Sequence, residues 1–135
     1  MKILMTASTH NGPLYALEPW MCLIVGVLAV DNVLERFLKF NKERALLQDE
    51  QILRVATDHS KVNKALQSYT IDARVGGDMN ENSRLAKQAQ KRVEAAVIVF
   101  TTCAGSGLGI LRKVDFEVVL IDEASQITEP CALIP

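Results

Sequence analysis

Two adjacent carboxylates follow an apolar run near the end of the sequence. The run Val118–Ile121 (VVLI) has the length and composition of a buried strand, and Asp122 and Glu123 come directly after it. In an open α/β sheet, ligands bind at the carboxyl ends of the strands. One carboxylate there can hold Mg²⁺ through water, and the second can orient or deprotonate a water that attacks a phosphoryl group. The pattern favours nucleotide hydrolysis, although many strands simply end in acids at a loop.

A glycine-rich segment, GSGLG at residues 105–109, resembles a loop that cradles phosphates. Such a loop needs the pattern GxxxxGK[ST], in which backbone N–H groups surround the phosphates and the lysine neutralises them. No Lys-Ser/Thr follows the glycines, and the complete pattern does not occur in the sequence. We therefore interpret this segment as a turn.

The cysteines and histidines do not form a metal motif. Cys22, Cys103 and Cys131 are widely spaced with no CxxC pair, and neither His10 nor His59 has a partner at ligand spacing. This pattern indicates neither a transition-metal site nor a secreted disulfide framework, and it is typical of a reducing compartment.

The composition is that of one soluble globular domain. The chain has 135 residues, 49% of them hydrophobic and 23% charged, with a net charge of −1. These values exclude a disordered tail and a collagen-like fibre. The near-zero charge gives no case for a strongly basic nucleic-acid-binding protein, although a local basic face stays open.

The hydrophobic pattern predicts strands that alternate with helices, which indicates an α/β fold with a parallel sheet. Expected strands are Lys2–Ala7, Ile52–Ala56, Ala96–Thr101 and Val118–Ile121, and expected helices are Ala29–Arg44 and Glu81–Ala95, with helical turns at Ser60–Gln67. The cations of the helix Glu81–Ala95 are explained either by a solvated face or by a nucleic-acid groove.

The segment Leu14–Val30 is unusually apolar. It is short for a membrane-spanning helix and carries Glu18 and Pro19 near its start. No basic end leads directly into it, as a signal peptide would require. A membrane role is the less favoured interpretation.

Three stretches, in order along the chain, resemble a known family. VVLIDEASQITEP (118–130) resembles the Walker B motif of superfamily 1 helicases, in the branch that contains the nonsense-mediated-decay helicase, senataxin and Aquarius. ILMTASTHN (3–11), followed later by AVDNVLERFL (29–38), resembles motif Ia. VIVFTTCAGSGL (97–108) resembles the strand and loop before the Walker B strand.

The resemblance implies roles for individual residues. Asp122 is similar to the Mg²⁺ ligand, Glu123 to the catalytic base, and Gln126 to the residue that senses the state of the nucleotide. Thr6, Thr9 and His10 fall on motif Ia, where side chains contact the nucleic-acid backbone, although His10 stands where the family has Asn. Thr101 and Thr102 would also contact that backbone, or else they simply terminate a strand.

The resemblance also implies the architecture and the activity. Residues 1–135 would be part of the first RecA-like P-loop NTPase domain, truncated at both ends, with residues 12–28 either an unspliced intron or a genuine apolar insertion. The expected protein is an ATP-dependent helicase that uses ATP and Mg²⁺, acts on single-stranded RNA or DNA, and works in the nucleus or cytoplasm with its remaining helicase domains in cis. The chain alone is expected to be inactive, with an uncovered sheet edge and marginal stability. A non-catalytic nucleic-acid- or protein-binding remnant is the alternative.

Overall fold

The computed structural model of the chain describes residues 1–7, 19–77, 82–122, 124, 127 and 129–135, and for residues 19–28 it describes the backbone alone. The strands in this part of the chain are β1 (Ile3–Ala7), β2 (Ile52–Arg54), β3 (Ile98–Thr102) and β4 (Val118–Asp122). The helices are α1 (Pro19–Arg44), α2 (Ile71–Val75), α3 (Ser83–Ala95), α4 (Cys103–Ser106) and α5 (Glu129–Ala132), with short 3₁₀ segments at Asp49–Gln51, His59–Lys61 and Lys64–Tyr69.

The strands form one parallel sheet in the order β2-β3-β1-β4. β1 pairs with β3 on one side and with β4 on the other, and Ile3 lies opposite both Ile98 and Val118. β2 pairs in parallel with β3 at the other edge. The predicted α/β fold with a parallel sheet flanked by helices is confirmed, and it is consistent with part of a RecA-like P-loop domain.

Apolar side chains cover both faces of the sheet, as a parallel sheet requires. On one face, strand residues such as Leu4 and Val99 pack with Ala89 and Val93 of α3. On the opposite face, α1 packs on the sheet through Val30 and Leu34, among other residues. The rings of Phe37 in α1 and Phe100 in β3 lie 5.4 Å apart between centroids. The continuous apolar run of β3 therefore indicates burial on two faces correctly, whereas the same prediction for Val118–Ile121 is wrong, because β4 is partly exposed.

Two helix boundaries differ from those expected from the sequence. The expected helix Ala29–Arg44 begins ten residues earlier, at Pro19, because the apolar residues before Ala29 continue the helix and proline is favoured in a first helical turn. The helix expected at Glu81–Ala95 begins at Ser83, because the Asn82 side chain accepts a hydrogen bond from Arg84 N at 2.8 Å and caps the helix.

A buried ion pair joins α1 to β2. Arg54 Nε lies 3.0 Å from Asp31 Oδ1, and the Arg54 side chain is 0% exposed. The second carboxylate oxygen of Asp31 accepts a hydrogen bond from Asn63 N at 2.8 Å, and Arg54 Nη1 donates to the carbonyl of Val55 at 2.7 Å. Burial lowers the pKa of the Arg54 guanidinium, and the Asp31 carboxylate opposes that shift. The Asp31 carboxylate thus links α1 to β2 and to the backbone at Asn63.

β4 is covered less well than the other strands. In the described part of the chain, β4 pairs with β1 alone. Its apolar residues Val119 and Leu120 are 39% and 48% exposed, whereas β2 is buried throughout. A strand edge with apolar side chains can pair with another chain and cause aggregation. Among the described residues, β4 is therefore the edge strand that exposes apolar side chains.

Within the described ranges, no helix has the length and apolarity needed to cross a membrane.

We predict that Arg54→Met strongly destabilises the fold. The substitution leaves the Asp31 carboxylate buried without its partner, which should lower the free energy of unfolding by about 3–5 kcal/mol. Urea denaturation followed by circular dichroism measures the change. Lys61→Met is the matched control, because Lys61 forms an exposed pair with Asp58 at 3.6 Å, and we expect a change within about 0.5 kcal/mol. The double variant Arg54→Met/Asp31→Leu should regain part of the loss. Equal effects of Arg54→Met and Lys61→Met would contradict the assignment.

We also predict that Leu120→Lys reduces self-association of the chain. A lysine on the exposed face of β4 should repel a second chain without removing a buried contact. Light scattering at several concentrations measures the association, and circular dichroism checks that the secondary structure is kept. Leu133→Lys is the control, since Leu133 is 80% exposed but lies outside the strands. If both variants reduce scattering equally, the edge of β4 is not the cause.

Candidate nucleotide and nucleic-acid site

The carboxyl ends of three strands bring together several of the predicted site residues. Ala7 at the end of β1 lies opposite Thr102 of β3 and opposite Asp122 of β4. Because the strands are parallel, their carboxyl ends lie at the same end of the sheet, and the register aligns these three residues there. Asp122, the predicted Mg²⁺ ligand, and Thr102, a predicted nucleic-acid contact, therefore lie at the same end of the sheet with β1 between them.

Asp122 is the last residue of β4, and it is exposed. An exposed carboxylate suits Mg²⁺, which keeps several waters and takes few ligands from the protein. Among the described residues, no group of three or more His, Cys, Asp or Glu side chains could enclose a metal ion. The Asp122 carboxylate fits a hydrated Mg²⁺ held together with substrate phosphates, and that role stays a prediction.

Four of the predicted site residues lie outside the described residues. They are Thr9, His10, Glu123 and Gln126. Their roles stay predictions from the sequence.

Two of the threonines predicted to contact nucleic acid are buried. Thr6 is 1% exposed, and its hydroxyl donates to the carbonyl of Leu120 at 3.5 Å. Thr101 is 0% exposed, and its hydroxyl makes no hydrogen bond with the described residues. In this arrangement neither side chain is exposed for direct contact with a nucleic acid. Burial arises because both residues precede the last position of their strands, so the sheet and α4 cover them.

Thr102 has a different position, at the end of β3 and half-buried. Its hydroxyl accepts a hydrogen bond from Gly105 N at 3.0 Å and caps α4. The sequence left open whether Thr102 ends a strand or contacts nucleic acid, and the capping bond gives it a defined structural role. Its partial exposure leaves the second role available as a prediction.

Gly105 packs closely on both threonines. A Cβ atom at this position would lie 2.4 Å from Thr101 Oγ1 and 2.8 Å from Thr102 Oγ1. Sequence reasoning treated this glycine only as part of a turn and missed the close approach. The available signal was the run of small residues, CAGSG, that follows the two threonines.

Cys103 is the second residue whose position was missed. Its thiol lies 3.5 Å from Thr6 Oγ1 and 3.6 Å from the Ala7 carbonyl, and the residue is buried. It therefore connects the first turn of α4 to the end of β1. The wide spacing of the cysteines in the sequence gave no signal of this contact.

The cations of α3 are exposed. They are Arg84, Lys87, Lys91 and Arg92. This exposure is compatible with a solvated face and with a nucleic-acid groove, so both interpretations of the sequence stay open.

We predict that Gly105→Ala destabilises the fold by about 1–3 kcal/mol, because the added methyl group must displace the buried hydroxyl of Thr101 and the half-buried hydroxyl of Thr102. Gly109→Ala is the matched control, since no atom lies within 4 Å of a Cβ built there. Urea midpoints of the two variants and the parent chain give the comparison. Equal midpoints for Gly105→Ala and the parent would show that α4 does not pack on β3 as described.

Comparisons with known proteins give one family match and two similar relatives, and the family match includes β3 and β4. Residues 82–135 match the family described as AAA domain. The chain is 39% identical over 59 residues to the Regulator of nonsense transcripts 1 homolog of Drosophila melanogaster, covering 43% of the chain. It is 51% identical over 45 residues to the Probable helicase MAGATAMA 3 of Arabidopsis thaliana, covering 32% of the chain.

The chain spans a small part of each relative. The aligned segments cover 5% and 6% of the length of the fly and plant proteins, respectively. These matches support the expected resemblance to the helicase domain of superfamily 1 helicases of the nonsense-mediated-decay type, and the parallel sheet is consistent with it. The family match itself is limited to residues 82–135.

Proposed function

We propose that this region supplies the Mg²⁺-binding and water-activating carboxylates of an ATP-dependent helicase. The observation that carries the proposal is the position of Asp122, exposed at the carboxyl end of β4 and beside the end of β1. The family match over residues 82–135 includes this strand and the acids that follow it.

The chemistry of the proposed site divides between two adjacent acids. Mg²⁺, when bound with ATP, neutralises charge on the phosphates. Asp122 would hold the ion through its carboxylate, with water completing the coordination. Glu123 would orient the attacking water and accept its proton, since positioning and charge stabilisation dominate phosphoryl transfer. Gln126 would then report the state of the nucleotide to the rest of the domain.

Nucleic acid would bind at the same edge of the sheet, on the far side of β1. Thr9 and His10 follow β1 in the sequence, and Thr102 ends β3. Contacts of this kind hold the sugar-phosphate backbone without reading bases, so they suit single-stranded RNA or DNA of any sequence. Thr6 and Thr101 would act indirectly, because both are buried and shape the strand ends.

The chain would act together with other helicase domains in cis. Its sequence has no GxxxxGK[ST] loop to bind the ATP phosphates. We therefore propose that the 135-residue chain alone hydrolyses no measurable ATP, and that activity belongs to a longer nuclear or cytoplasmic protein. The competing hypothesis is a non-catalytic binding module. It predicts that no phosphate-binding loop is encoded upstream, whereas the helicase hypothesis requires one.

We predict that Glu123→Gln abolishes ATP turnover of the longer protein while nucleotide binding is kept. Loss of a catalytic base should lower kcat by about 10²- to 10⁴-fold. Steady-state ATPase assays with and without single-stranded RNA or DNA measure the effect, and a fluorescent nucleotide measures binding. Glu117→Gln is the matched control, because Glu117 is an exposed glutamate before β4 whose described contacts are with Met1 and Lys2.

Two outcomes would contradict this proposal. Mg²⁺-dependent turnover that survives Glu123→Gln would place the chemistry elsewhere. A mature transcript that begins at Met1, with no phosphate-binding loop upstream, would favour the binding module instead.

A further inference from the structure

Two thiols lie at the contact between α4 and α5. Cys103 is the first residue of α4, and Cys131 is the third residue of α5, a helix that packs on α4. Cys103 is fully buried, and Cys131 is partly exposed. Burial raises the pKa of the Cys131 thiol, and the neighbouring Cys103 thiol raises it further. The contact between these two helices brings the two cysteines into one region of the fold, although 27 residues separate them in the sequence.

The surroundings of Cys103 favour one partner for its sulfur. On the side of the sheet, its thiol meets the hydroxyl of Thr6 and the carbonyl of Ala7. Both groups accept hydrogen bonds, and neither can form a covalent bond to sulfur. On the side of α5 lies Cys131, which solvent can reach. A small oxidant can therefore reach Cys131 first, and Cys103 is positioned to react second. Because the pKa of the Cys131 thiol is raised, this first step uses the minor thiolate form and should become faster as the pH rises.

We propose that Cys103 and Cys131 are a redox modification site, in which a peroxide joins the two thiols in a reversible disulfide. This site is separate from the proposed ATP chemistry and does not depend on it.

The chemistry balances with hydrogen peroxide as the oxidant. The Cys131 thiolate attacks one peroxide oxygen, the O–O bond breaks, and a sulfenic acid and one water form. The Cys103 thiolate then attacks the Cys131 sulfur, forms the S–S bond and releases a second water. Two thiols and one peroxide become one disulfide and two waters, and an added dithiol reverses the reaction.

The disulfide would restrain the segment that carries the site. It would close a covalent loop over residues 104–130, which contains β4 and the acids at its end. α5 follows those acids directly and would be fixed to the start of α4. If the proposed function is correct, oxidation should therefore hinder any movement of the acidic segment during ATP turnover.

The test measures the effective concentration of the two thiols. The substitution Cys22→Ser leaves Cys103 and Cys131 as the one pair of thiols in the chain. Buffers that contain reduced and oxidised glutathione then give the equilibrium constant for the disulfide between them. We expect the effective concentration in native buffer to exceed that in concentrated urea by at least about tenfold, which corresponds to about 1.4 kcal/mol. Tryptic digestion without reductant should link the peptides 93–112 and 114–135.

A matched variant moves one thiol to the solvent. Cys131→Ser combined with Leu133→Cys keeps nearly the same loop length, but Leu133 is 80% exposed. We expect this variant to have the same effective concentration in buffer and in urea. A ratio near one for the parent, or the same ratio for parent and variant, would overturn the proposal.

A second measurement addresses the regulatory consequence. In the longer protein, peroxide should lower ATP turnover, dithiothreitol should restore it, and Cys131→Ser should be insensitive. Equal inhibition of both proteins would overturn the regulatory part of the proposal. Absence of all turnover would instead count against the proposed function, and the glutathione measurement would still decide whether the disulfide forms.

Discussion

The structure depends on the parallel pairing of β1 with strands on both of its sides. β1 lies between β3 and β4, and one register places Ala7, Thr102 and Asp122 at the same edge. β1 therefore fixes the position of β4, which carries Asp122, relative to β3, which carries Thr102. The pairing also explains the burial of Thr6, whose hydroxyl bonds to Leu120 of β4 within the sheet. The position of each candidate residue is therefore a consequence of register more than of local chemistry.

The strands and their direction could be predicted from the sequence because their composition reflects two-sided burial. The run at Ala96–Thr101 has no polar alternation and is buried in β3, as expected for a parallel sheet covered on both faces, whereas the similar run at Val118–Ile121 is partly exposed in β4. Asp122 could be placed at the carboxyl end of its strand by the same reasoning. The start of α1 at Pro19 was harder to predict from the sequence, because the apolar residues before Ala29 are compatible both with a longer helix and with an inserted segment.

Burial at the strand ends could not be predicted in this way. Thr101 and Thr102 are adjacent and chemically identical, yet one is enclosed and the other is half-exposed. Successive side chains of a strand point to opposite faces, and Thr102 is the last residue of β3, so the two threonines have different surroundings although Gly105 of α4 lies against both hydroxyls. Likewise, nothing in the spacing of Arg54 and Asp31 indicates that they meet inside the protein. Such contacts depend on the paths of two segments that are far apart in the sequence.

The central position of β1 has a consequence for the order of folding. β1 is synthesised well before its neighbours β3 and β4, and the hydrogen-bonded residues Thr6 and Leu120 are 114 positions apart. Contacts between distant positions form slowly, because the intervening chain must first be brought together. During synthesis, β1 therefore has both edges unpaired until nearly all of this region has left the ribosome. The strand that organises the sheet is the one most dependent on protection by chaperones before the sheet closes.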